Sequence, residues 1–217
     1  LGDNVTKSFK NCDNTGLTSI IVRSDNEWVG KLNNFRENYF PVLEVKTKGT
    51  NLIDGIAASY YGVSNVGSAI HRSKYENGGD FPDFLINLVI KAYYKKLKNE
   101  GFDLILYVPP TKSGDLVKNF ALKISQSLKI PVSTSLIKTR DTNEQKVFEN
   151  AYLKMDNVKD AFTLRNPKEI IGKSILLIDD IFDSGASIKE IGRYLSKFGA
   201  IKIAPLVIAK TVGGDIV

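Results

Sequence analysis

Ser174-Ile175-Leu176-Leu177-Ile178-Asp179-Asp180-Ile181-Phe182-Asp183-Ser184-Gly185-Ala186-Ser187-Ile188 is the stretch whose reading decides the fold. Four consecutive aliphatic residues lead into two carboxylates. An apolar run this short suits a strand buried on both faces, as in a parallel sheet. A strand is expected over Ser174–Ile178, then a short loop, then a helix from about Ser187. Ile188, Ile191, Leu195 and Phe198 continue as one helical stripe, closed by Gly199. Residues 201–208 read as the next strand.

The alternation extends upstream. Phe84, Leu85, Leu88, Val89 and Ala92 fall on one helical face. Lys91, Lys95, Lys96 and Lys98 crowd the end of that helix, where positive charge suits the dipole, and Gly101 can cap it. Residues 103–108 make a strand, Leu116, Phe120, Ile124 and Leu128 a second helix, and residues 133–137 another strand. Strands alternating with helices predict an α/β fold, an open and mainly parallel sheet with helices on both faces. Ligands of such folds sit outside the carboxyl ends of the strands. Before residue 60 the chain is polar and punctuated. Residues 19–22 and 27–30 flank Ser24-Asp25-Asn26 as a short hairpin, and residues 40–47 suggest a further strand. The division expected is an N-terminal extension over 1–60 and a main domain over 61–217.

The 217 residues are 42% hydrophobic and 25% charged, which excludes bulk disorder, collagen and coiled coil. No apolar run is long enough for a membrane helix, so no membrane partner is expected. Residues 1–7 do not resemble a signal peptide, and Cys12 is the single cysteine. A cytoplasmic setting is expected, with no internal disulfide and no zinc cluster. The formal charge of +6 favours anionic partners, either nucleic acid or a phosphorylated metabolite. No Gly-x-x-x-x-Gly-Lys-Ser/Thr sequence occurs, which argues against a P-loop nucleotidase.

The loop after the buried strand carries the chemistry. Ser184, Gly185, Ala186 and Ser187 precede or open a helix, where backbone N–H groups and the helix dipole form an anion cradle. Gly185 lets the backbone approach a phosphate closely, and the two serine hydroxyls can donate to it. Carboxylates repel phosphate, so Asp179 and Asp180 must serve something else, such as sugar hydroxyls, a metal or a proton. The ligand implied is a sugar phosphate, with its phosphate in the loop and its diol on the acids.

This segment resembles the phosphoribosyl-diphosphate (PRPP) signature of type I phosphoribosyltransferases: apolar strand, two acids, three spacers, then Ser/Thr-Gly-x-Ser/Thr. Pro109-Pro110-Thr111-Lys112-Ser113-Gly114 resembles the diphosphate loop of the same family, with Thr111 and Lys112 as candidate anion ligands. The run from Arg140 through Thr142 to Gln145, the later Asn157-Val158 and Ala161-Phe162, and His71-Arg72-Ser73-Lys74-Tyr75 are similar to the ComF-like branch. The resemblance covers roughly residues 60–211. It implies a small N-terminal hood or extension, and the cysteine cluster usual there is absent. It also implies transfer of phosphoribose from PRPP, with Mg²⁺ as cofactor, to a small nitrogenous acceptor with release of diphosphate. Asp179 and Asp180 would hold the ribose hydroxyls, and Arg140 would belong to a segment covering the site. Asp183 is either the general base that takes the acceptor's proton or a cap of the following helix. A lone histidine such as His71 is more often structural. The alternative reading is a non-catalytic PRPP- or nucleotide-binding module linked to DNA uptake or processing, either a homodimer or a domain of a larger DNA-processing protein.

Overall fold

The computed structural model describes residues 10–11, 18–19, 30, 42–62, 64–76, 79–111, 114–143 and 151–211. The chain divides into two compact units, 1–41 and 42–217. In the first, Lys10–Asn11 pairs antiparallel with Thr18–Ser19. The hairpin expected around Ser24–Asn26 lies outside the described residues.

The second unit is an α/β domain. Its strands and helices run β1 (Leu43–Val45), β2 (Gly55–Tyr60), α1 (Ser64–Tyr75), α2 (Asp83–Lys96), β3 (Leu104–Tyr107), α3 (Leu116–Leu128), β4 (Leu136–Lys138), α4 (Ala151–Val158), β5 (Phe162–Leu164), β6 (Ser174–Phe182), α5 (Ala186–Lys197) and β7 (Lys202–Lys210). Five strands form one sheet in the order β1-β2-β7-β6-β3. All neighbours in it are parallel except β1 with β2. β4 and β5 form a separate antiparallel ribbon. Among the described residues, no helix is long and apolar enough to cross a membrane.

The aliphatic run Ile175–Ile178 lies between β3 and β7 with every residue fully buried. Strand pleating sends alternate side chains to opposite layers. Ile175 and Leu177 join Ile188, Ile191 and Leu195 of α5 in one core. β2 can approach β7 because it opens with glycine: a Cβ on Gly55 would lie 2.1 Å from the Pro205 carbonyl oxygen.

Three details differ from the sequence reading. β1 and β2 belong to the main sheet, so the compact unit begins at Val42 and not near residue 61. The reason is pairing: Ile56 and Ala57 sit in register with Leu206 and Val207. The buried face of α2 is Leu85, Ile86, Val89, Ala92 and Tyr93, whereas Phe84 is 45% exposed. β6 runs on to Phe182, because Ile181 and Phe182 keep pairing with Ala209 and Lys210.

Candidate functional site

Parallel pairing brings the carboxyl ends of β2, β7, β6 and β3 to one edge of the sheet. A cavity of about 630 Å³ opens there, lined by Tyr61, Lys74, Val108–Thr111, Lys138, Lys154, Asp179–Ile188 and Thr211, among others. Of the residues singled out from sequence, Asp179, Asp180, Asp183, Ser184, Gly185, Ala186, Ser187 and Thr111 all line it. Lys112 lies outside the described residues.

The turn between β6 and α5 is built on Gly185, whose φ is 70° and ψ 10°. A Cβ at this position would lie 2.6 Å from two ring atoms of Phe182. Glycine is therefore required by the turn itself, so a valine there would disturb the local fold as well as any anion site. α5 starts at Ala186, and no side chain of its N-cap residue closes its end. The Ala186 N–H makes only a long contact, 3.4 Å, to Ser184 Oγ. The first-turn residues Ala186, Ser187 and Ile188 line the cavity, and the free N–H groups of a helix start are the donors an anion cradle uses.

Asp179 and Asp180 occupy the end of β6, on alternate faces. Asp180 is buried and ion-paired with Lys74 Nζ of α1 at 2.7 Å. Its N–H donates to Asp179 Oδ1 at 2.9 Å. Burial, then the neighbouring Asp180 charge, push the Asp179 carboxyl up to about 8, against the Asp180 N–H, Lys74 and Lys138. Burial on its own would lower the Lys74 ammonium, but Asp180 and Asp179 leave it above the usual lysine range.

Asp183 follows the strand and does not cap α5. Its carboxylate accepts from Lys154 Nζ at 2.5 Å and from Thr211 Oγ1 at 2.9 Å. The N-cap of α5 is Gly185, with no side-chain hydrogen bond closing the helix, so Asp183 does not serve as its cap. Lys154 comes from α4 and Thr211 from the end of β7, so both oxygens are fixed from different elements.

On the side of β3, Lys138 Nζ of β4 donates to Thr111 Oγ1 at 2.6 Å and to Thr142 Oγ1 at 2.8 Å. Burial lowers the Lys138 ammonium despite Asp179 and Asp141 nearby. Arg140 is not brought to the cavity. Its guanidinium donates to the Lys159 carbonyl at 2.8 Å and to the Asp141 carbonyl at 3.3 Å. The physical reason is that the strand ends at Lys138 and the chain bends over residues 139–140, so Arg140 leaves the strand's face and finds carbonyls in its own neighbourhood. His71 lines a separate, shallower depression, 3.4 Å from Glu76 and with its ring tilted against Tyr75 at 5.0 Å between centroids.

Lys138, Lys154, Thr211 and Tyr61 were not legible from sequence. Lys154 and Thr211 lie in segments with no motif, and only the sheet closes them onto Asp183. Lys138 had one available signal, its place two residues ahead of Arg140 at a strand end.

A family model described as "Phosphoribosyl transferase domain" matches residues 91–213. A search of curated proteins finds no match. Among solved structures, the allosteric regulatory enzyme of purine biosynthesis aligns at 20% identity and TM-score 0.40, over 57% of this chain and 25% of that one. This chain thus spans a quarter of that enzyme's length. Purine phosphoribosyltransferase from Pyrococcus horikoshii aligns at 20% identity and TM-score 0.44, over 64% of this chain and 83% of that one. Adenine phosphoribosyltransferase from Thermoanaerobacter pseudethanolicus aligns at 14% identity and TM-score 0.39, over 81% and 99% respectively.

Proposed function

The chain belongs to the phosphoribosyl transferase domain family, and from that membership we propose that it transfers phosphoribose from PRPP to a nitrogen acceptor with release of diphosphate. The observation that carries the proposal is the shared cavity. The Ser184–Ser187 turn, the Asp179–Asp180 pair, and the Asp183 carboxylate held by Lys154 and Thr211 all face it.

In this reading the turn seats the 5-phosphate and the acid pair accepts from the ribose hydroxyls. Lys138 and Thr111 stand toward the diphosphate. As the C1–O bond to diphosphate breaks, positive charge develops on the ribose ring. The acceptor nitrogen bonds to C1, and its proton passes to a carboxylate oxygen of Asp183. The protein's part is orientation and charge placement. Mg²⁺ suits the oxygen-rich diphosphate and ribose, hard ligands for a hard cation. The described residues hold no group of three or more His, Cys, Asp or Glu around one point. The proposal therefore has the ion travel with PRPP as part of the substrate. The finer placement in the ComF-like branch is supported by sequence spacing alone.

The test is diphosphate release from PRPP and Mg²⁺ with a panel of purine, pyrimidine and simple amine acceptors. Release with one class and not without it is the expected result. PRPP binding by calorimetry with no release for any acceptor would replace the enzyme by a binding module.

A further inference from the structure

Lys74 lies outside the matched family segment, and from sequence alone it reads equally as a cation facing a phosphate or as solvated charge. Its side chain is 20% exposed, and the Asp180 side chain it grips is 7% exposed. A buried ion pair is a poor stabilising device, because desolvating both charges offsets their attraction. Its place is the more telling fact: Lys74, Tyr75 and Asp180 all line the cavity. A carboxyl group that accepts from ribose hydroxyls must be fixed in direction. Asp180 has Asp179 beside it on β6, and the Asp180 charge adds to burial in raising the Asp179 carboxyl. Among the groups that face the two acids, Lys138 of β4 acts on Asp179, Tyr75 neighbours Lys74 on α1, and Lys74 itself is in direct contact with Asp180.

We infer that Lys74 is a positioning residue for PRPP: its ammonium holds the Asp180 carboxylate in place and in direction, so that Asp180 accepts from the ribose diol. The inference rests on the PRPP reading above. It divides the acid pair into unequal members. Asp180 is the member held by a direct ion pair, and Asp179 the member whose carboxyl is raised by burial and by Asp180.

The test measures PRPP affinity against pH for the wild type, Lys74→Met and Lys74→Arg, with inorganic phosphate as a second probe. PRPP affinity is expected to fall about ten-fold or more in Lys74→Met, the usual worth of a charge-assisted hydrogen bond. The acid limb of the PRPP profile should move up by about one pH unit or more, because the pair loses its compensating cation. Lys74→Arg should restore both. Phosphate affinity should stay within about two-fold, since the Ser184–Ser187 turn does not use Lys74. Should Lys74→Met fail to fold, Lys74→Gln carries the same test, for it can still donate to Asp180 but brings no charge. A wild type that binds PRPP alongside a variant with equal affinity and an unmoved acid limb would overturn the inference. A wild type that binds phosphate but not PRPP would instead overturn the reading beneath it.

Discussion

One wall of the cavity is a single run of chain, Asp179 to Ile188, whereas the rest is gathered from Tyr61, Lys74, Thr111, Lys138, Lys154 and Thr211. The first wall is local physics. A buried strand, a left-handed glycine and a helix N-terminus follow one another, and each constrains the next. The second wall exists only because parallel strands end together and α1, α4 and β4 are packed around that edge. Every lysine in the cavity lining belongs to the second wall, and the three carboxylates that line it belong to the first. Two of those lysines are paired with the acids of the first wall, Lys74 with Asp180 at 2.7 Å and Lys154 with Asp183 at 2.5 Å.

The largest expected effect lies where the two walls meet. Asp183→Asn should slow phosphoribosyl transfer by about 10²–10⁴-fold, the ordinary worth of a positioned acid or base group. PRPP affinity should change little, because Asp183 is proposed to face the acceptor. Because Asp183 caps no helix, α5 should keep its stability in the variant. Initial-rate kinetics beside calorimetry separate these terms, and equal losses in rate and affinity would count against the assignment.

Gly185→Val attacks the local wall. A branched residue at φ 70° is strained, and its Cβ would meet the Phe182 ring at 2.6 Å. A destabilisation of about 1–3 kcal/mol is expected, together with loss of phosphate affinity. Thermal unfolding with and without phosphate reads both. Loss of phosphate affinity with unchanged stability would show that the turn tolerates the side chain and that the anion alone requires glycine.

Asp179→Asn tests the electrostatics of the same wall. The Asp179 carboxyl is raised from 3.8 to about 8 in the folded chain. The folded state therefore binds the proton more tightly than the unfolded state. Wild-type stability from this group is present below about pH 4 and is lost as pH rises through about 8. Removing the ionisable group should make the variant more stable than wild type above pH 8, by about 1 kcal/mol or more. The difference should vanish toward pH 4. Chemical denaturation at the two pH values checks the sign.

The local wall was legible in sequence because its parts are adjacent in the chain. Ile175–Ile178 reads as a short apolar strand, buried on both faces in a parallel sheet, and the acids, Ser184, Gly185 and Ser187 follow at fixed spacing. Even there the reading stopped the strand four residues early, since Ile181 and Phe182 are held by pairing with β7, a partner the local sequence does not reveal. The distant wall had no such signature. Lys154 sits in α4 among exposed Tyr152, Leu153 and Met155, and nothing in that run distinguishes it from a solvated lysine. Thr211 matters only because β7 ends opposite Asp183. The N-terminal boundary failed for the same reason: β2 is a strand by virtue of Leu206 and Val207, about 150 residues away.

The smallest expected effects come from two neighbours in sequence, and they sharpen the comparison most directly. Arg140 carried the sequence pattern, yet its guanidinium is exposed and bonded to the Lys159 and Asp141 carbonyls. Lys138 carried none, yet it bridges Thr111 and Thr142 within the cavity lining. Lys138→Met should reduce affinity for PRPP several-fold, and for inorganic diphosphate by a similar factor, as loss of a phosphate-facing cation would. Its stability should not fall at neutral pH. Burial lowers the folded Lys138 pKa below 10.5, so the charged group opposes folding wherever it is protonated, and that opposition disappears only above 10.5. Arg140→Ala should leave both affinities within about two-fold. Its cost is two exposed hydrogen bonds to carbonyls, about 1 kcal/mol or less of stability. Calorimetry with diphosphate on the two variants decides between them. If Arg140→Ala loses the diphosphate and Lys138→Met keeps it, the segment after β4 must rearrange when ligand binds, and the sequence pattern would then describe the liganded site better than the unliganded packing does.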